Sequence, residues 1–141
     1  MEETSDLLKR LQDSNDLESL SQYIKEIERN KPLELNQYIK SVMQEKNIGT
    51  VELVKRSLIE RTYFYQILNG RKRPGRDKLI AIAIALKLTL KEAQHLLVTA
   101  KEGILNETCK RDCIIIFALS HKLTVLDTNF LLTRYSEPEL K

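Results

Sequence analysis

Residues 50–76, TVELVKRSLIERTYFYQILNGRKRPGR, decide how the chain is read. Helical periodicity divides them into a short helix over Thr50 to Ser57, a tight break, a second helix over Glu60 to Leu68, and a basic loop. The first helix turns Leu53 and Val54 inward. The second buries Phe64, Ile67 and Leu68 at the i, i+3, i+4 spacing of a packed face. Arg61, Thr62, Tyr65, Gln66 and Asn69 fall on its other face, one above another. Asn69-Gly70 ends the helix, because both residues tolerate the left-handed conformation of a C-terminal cap. A helix that displays hydrogen-bonding side chains, followed at once by RKRPGR, suits an anion that carries information. Duplex DNA is the foremost candidate.

Outward from this stretch the periods are helical on both sides. Leu35 to Lys46 reads as a helix with Leu35, Ile39, Val42 and Met43 inward, linked by Asn47-Ile48-Gly49 to the helix at Thr50. Arg76 to Leu86 is strongly apolar (LIAIAIAL). It alternates enough to suggest a strand, but its alanines and length favour a helix, and Pro74 fits its entry. Thr89 and Glu92 form a capping-box pattern that opens another helix with Leu90, Ala93, Leu96 and Leu97. Lys110 to Ser120, KRDCIIIFALS, must be buried or sit at an interface. A last helix over Thr124 to Tyr135 has Thr124 as its cap and Val125, Leu126, Phe130 and Leu131 as its apolar residues. SEPELK should fray. Toward the N-terminus, Ser5 to Gln12 and Leu17 to Glu28 read as amphipathic helices, the second capped by Asp16. The expectation is an all-α protein: an N-terminal helical arm over 1–34, a core domain over 35–101, and a C-terminal helical extension over 102–141 for packing or dimerisation.

The run from Leu53-Val54 through Ile59, Phe64 and Ile67 to NGRKRP resembles the helix-turn-helix of the Xre/Cro-repressor class of regulators, over about residues 36–97. That resemblance implies a Cro/lambda-repressor-like fold and binding to double-stranded DNA. It places Arg61, Thr62 and Gln66 where such proteins touch base edges. Thr50, Asn69, Arg71, Lys72, Arg73 and Arg76 fall where they grip phosphates, and Tyr65, on the same face, could donate to one. A homodimer on a palindromic operator is the implied assembly, with recognition helices about 34 Å apart. Two positions depart from the pattern. Leu58 stands where Gly is usual, and a non-Gly residue at positive φ costs on the order of 1 kcal/mol, which a reshaped turn would relieve. Glu60 stands at the head of the second helix, where Ser, Thr or Asn is common. Its carboxylate suits the helix dipole but repels phosphates unless Arg61 neutralises it.

Composition bounds the alternatives. The 141 residues carry a net charge of only +3, but residues 1–34 hold nine acids against five bases, and residues 50–80 hold eight bases against three acids. An acidic arm thus precedes a basic centre, a pattern that is often just a solvated face. No apolar run is long enough to span a membrane and MEETSDLLKR is no signal peptide, so the expected location is cytoplasmic. Cys109 and Cys113, with His95 and His121 scattered around them, lack the knuckle spacing of zinc ligands and are expected to be buried, inert thiols. Neither a phosphate-cradling glycine loop nor HExxH nor GxSxG occurs, so no enzyme, cofactor or metal is expected. The alternative to a regulator is a protein-interaction adaptor or antitoxin-like factor on the same fold, with a protein partner held by the N-terminal arm.

Overall fold

A computed structural model describes residues 8–9, 12, 16–29 and 34–141. Every regular element among them is an α-helix. The chain divides into two units, one ending at residue 33 and the other Glu34–Lys141. In the first, α1 (Leu17–Arg29) is amphipathic, and the Asp16 carboxylate accepts the Ser19 N–H at 2.8 Å as its cap. The expected helix over Ser5 to Gln12 lies outside the described residues, apart from 8, 9 and 12.

The second unit holds α2 (Leu35–Glu45), α3 (Thr50–Ser57), α4 (Arg61–Leu68), α5 (Arg76–Ala85), α6 (Leu90–Thr99), α7 (Lys110–Ser120) and α8 (Val125–Arg134). α5 is apolar all round and therefore central. Every residue from Leu79 to Leu86 is buried, with α3, α6, α7 and α8 packed against it. The segment expected as an extension shares this core, since Ile115, Leu119 and Val125 pack with Leu53, Phe64 and Ile82.

Helix ends follow one grammar. Thr89 and Thr124 cap α6 and α8 through N–H groups three residues on, and Glu92 completes a capping box. Six helices stop at a non-glycine residue in the left-handed region: Asn47, Leu58, Lys87, Lys101, Lys122 and Ser136. At Lys87 the next N–H, from Leu88, returns to the Ala83 carbonyl, and Lys87 itself donates to Ile84, a Schellman closure. Lys122 and Leu123 repeat it on Leu119 and Ala118.

That recurrence is part of a tandem repeat with a period of 35 residues. RDKLIAIAIALKLTLKEAQHLLVTAKEGILN (76–106) aligns without gaps on RDCIIIFALSHKLTVLDTNFLLTRYSEPELK (111–141). α5–α6 and α7–α8 are the two copies, and they meet through reciprocal contacts. Arg76 donates to both oxygens of Asp112 at 3.1 and 2.8 Å, and Arg111 to both oxygens of Asp77 at 3.0 Å. Arg76 also reaches the Gly103 and Ile104 carbonyls, and Arg111 reaches those of Pro138 and Glu139. Asn106 N–H donates to Asp112 and Lys141 N–H to Asp77. Lys87 and Lys122 each donate to the other's carbonyl at 2.9 Å. An internal two-fold therefore relates the hairpins.

Two expectations change as a result. SEPELK does not fray: Leu140 packs on the core, its N–H donates to Asn129, and Lys78 donates to the Lys141 carbonyl at 2.8 Å. In α8 the buried residues are Val125, Thr128 and Leu132, whereas Leu126 and Phe130 point outward.

Candidate nucleic-acid interface

Three turn residues, Leu58, Ile59 and Glu60, join α3 to α4. The turn keeps a left-handed residue where glycine would be cheapest: Leu58 sits at φ 60°, ψ 18°. It is not reshaped to avoid the strain, because Ile59 must drop into the core, where it is buried, and Ser57 Oγ takes its N–H at 3.3 Å. Leu58 itself stays 57% exposed.

Glu60 is the N-cap of α4, its carboxylate accepting the Tyr63 N–H at 2.8 Å. That hydrogen bond, and after it those from Thr62, hold the carboxyl below its ordinary range. Glu60 therefore performs with a carboxylate the capping that Ser or Thr would perform with a hydroxyl. Thr62 is exposed.

α4 is held by its inner face, where Phe64, Ile67 and Leu68 are buried. At its far end Asn36 of α2 donates to the Leu68 carbonyl at 3.3 Å. Gly70 closes the helix at φ 83°, and a Cβ there would meet the Asn36 amide at 3.3 Å, so both the backbone and the space call for glycine. Asn69 Oδ1 accepts the Arg71 N–H at 3.0 Å, leaving its NH₂ group outward. The N–H groups of Arg71 and Lys72 both return to the Gln66 carbonyl, which ties the basic loop to the helix end.

The outer face carries Arg61, Thr62 and Tyr65, all exposed, with Gln66 half-buried beside them. The Arg61 guanidinium lies 5.8 Å over the Tyr65 ring, which steers it along the helix surface. Arg61, Arg71 and Lys72 make no ion pair with any described residue. Thr50 opens α3 half-buried, after the Gly49 cap. Arg73 is exposed but tied at one end, donating to the Ala100 carbonyl at 2.7 Å.

Arg76 does not belong with this set. Its guanidinium is committed to Asp112 and to two carbonyls, which turns it into the seam between the repeats and away from the exposed face. Burial alone would raise the Asp112 carboxyl, but Arg76 and the Asn106 N–H outweigh it and hold the group below its ordinary range. Asp77 behaves alike, with Arg111 and the Lys141 N–H opposing the burial. Cys109 and Cys113 are both exposed rather than buried, since each lies on the outward side of the start of α7. No helix among the described residues is long and apolar enough to cross a membrane.

No family model, no curated protein and no solved structure matches the chain.

Proposed function

We propose that the chain is a sequence-specific DNA-binding transcriptional regulator with an Xre/Cro-like helix-turn-helix core formed by α2 to α6. One observation carries the reading. α4 is clamped on its apolar side and presents Arg61, Thr62, Tyr65 and Gln66 outward, beside a basic loop pinned to its C-terminus. Arg61 pairs with guanine and Gln66 with adenine, each good pair contributing roughly 1–3 kcal/mol of discrimination. Thr62 contributes from the first turn. Thr50, Tyr65, Asn69, Arg71, Lys72 and Arg73 set the register through phosphates, which makes binding fall with salt. The regulator acts as a homodimer on a palindromic operator.

Selection from a random duplex library, followed by salt titration of the selected and of random DNA, tests the reading. A selected consensus bound far more tightly than random duplex is expected, and Gln66→Ala should relax preference at one base position. Equal binding of all duplexes would reject it. The exposed apolar residues of α7 and α8 favour a second reading, a protein-interaction module on the same fold.

A further inference from the structure

The two repeats differ in what covers them. In the first, α3 packs along α5, and Arg56 of α3 donates to the Ala85 carbonyl at 3.5 Å. Ile82, Ala85 and Leu86 are buried. Their counterparts on α7, 35 residues on, are Phe117, Ser120 and His121, and all three are exposed. The Phe117 ring stacks on His121 at 3.9 Å and remains 50% exposed. On α6 the outer position His95 meets Tyr38 of α2 edge-on at 5.2 Å. Its counterpart on α8 is Phe130, 68% exposed, with Leu126 one turn before it equally bare. The α5 face that α3 covers is thus left open on α7, where it carries Phe117, and the exposed outer side of α6 is polar at Lys91 and His95 where α8 carries Leu126 and Phe130.

The order of residues on α8 says what fits. Val125, Thr128 and Leu132 point into the core, so the outward face is centred on Phe130 and includes Leu126, Asp127, Thr133 and Arg134. Asp127 lies one turn before Phe130 and toward the same flank as Arg134, one turn after it. We propose that this face binds the same face of a second copy, with the two α8 helices antiparallel about a two-fold axis at Phe130. In that arrangement Asp127 lies beside the second copy's Arg134, and the reciprocal pair forms on the other side of the axis. Phe130 meets its own equivalent at the centre, flanked by Leu126. The charges of the face cancel within one copy and complement each other between two. That pattern suits neither an acidic nor a basic partner, nor DNA. The proposal deepens the homodimer part of the regulator reading by giving its surface.

Sedimentation velocity on the full chain at tens of micromolar tests it. The wild type should sediment as a dimer. Phe130→Glu should raise the dimer dissociation constant by about 100-fold or more, as loss of a central aromatic does. Arg134→Glu should weaken association by about 10-fold, and adding Asp127→Lys should recover most of that loss. These positions are exposed, and unchanged thermal melts identify variants that stay folded; the charge reversal stands if Phe130→Glu does not. A monomeric wild type, an undiminished Phe130→Glu dimer, or a double reversal that recovers nothing would overturn the proposal. Half-site duplex binding by the Phe130→Glu monomer separates the two readings. A wild-type dimer that binds no duplex at low salt sinks the DNA reading alone, and a wild type that binds duplex but stays monomeric sinks the surface alone.

Discussion

Replacing Arg76 by Ala distinguishes a structural brace from a phosphate contact. The guanidinium makes four hydrogen bonds, two to Asp112 and one each to the carbonyls of Gly103 and Ile104. Asp112 is 4% exposed, so alanine leaves a buried carboxylate with the Asn106 N–H as its remaining partner. Removing one member of a buried pair costs about 3–5 kcal/mol. The Arg76 side chain is 27% exposed, which lets some water in and favours the lower end, about 3 kcal/mol. For a unit of this size that is a fall of about 12 °C in Tm, at about 4 °C per kcal/mol. Arg111→Ala is the internal control. Its partner Asp77 has a side chain 29% exposed against 6% for Asp112, so the stranded carboxylate rehydrates more easily. That loss should be about 1–2 kcal/mol, smaller than at Arg76. Calorimetry at neutral pH measures both, and DNA titration well below the melts measures affinity. An Arg76→Ala protein that melts with the wild type but shows a flattened salt slope would refute the assignment and return Arg76 to the phosphates.

Leu58→Gly should stabilise the fold by about 0.5 kcal/mol in urea, because relief of left-handed strain exceeds the extra chain entropy of glycine. A clear loss of stability would mean that the buried part of the leucine outweighs its strain. Asp77 and Asp112 are held below the ordinary carboxylate range when folded, so they bind fewer protons than in the unfolded chain. Their contribution is full above the unfolded pKa, near 4, and is lost as pH falls through the folded values. Tm should therefore be level near neutrality and drop in acid, with a shallower drop for Arg76→Ala; a pH-independent Tm would contradict the pairing. Arg73→Ala should weaken binding to every duplex alike and reduce the salt slope by about 1, and a base-specific loss would contradict a phosphate role.

The helices and their caps were legible along the chain because both rest on local chemistry. Thr89 with Glu92, Thr124, and Asn69-Gly70 satisfy the N–H and carbonyl groups at helix ends within a few residues, so spacing alone places them. The inward faces of α2 and α4 follow from period in the same way. The 35-residue repeat is also written in the sequence, from RDKLI and RDCII to KLTL and KLTV, but a residue-by-residue reading of helical faces passes over it.

What the sequence determined by itself was the set of helices from Leu17 onward, their ends, and a polar outer face on the helix that ends at Asn69. Only the tertiary structure decided which arginines that face keeps. Arg73 and Arg76 belong to one basic run, yet Arg76 turns into the seam because Asp112, remote in sequence, needs a buried cation. Only packing decided that Phe130 faces outward while Thr128 is buried, since a helix sets which residues share a side and its neighbours set which side is covered. Local pattern fixes what is close along the chain. Charge pairing and burial depend on partners that folding alone brings together.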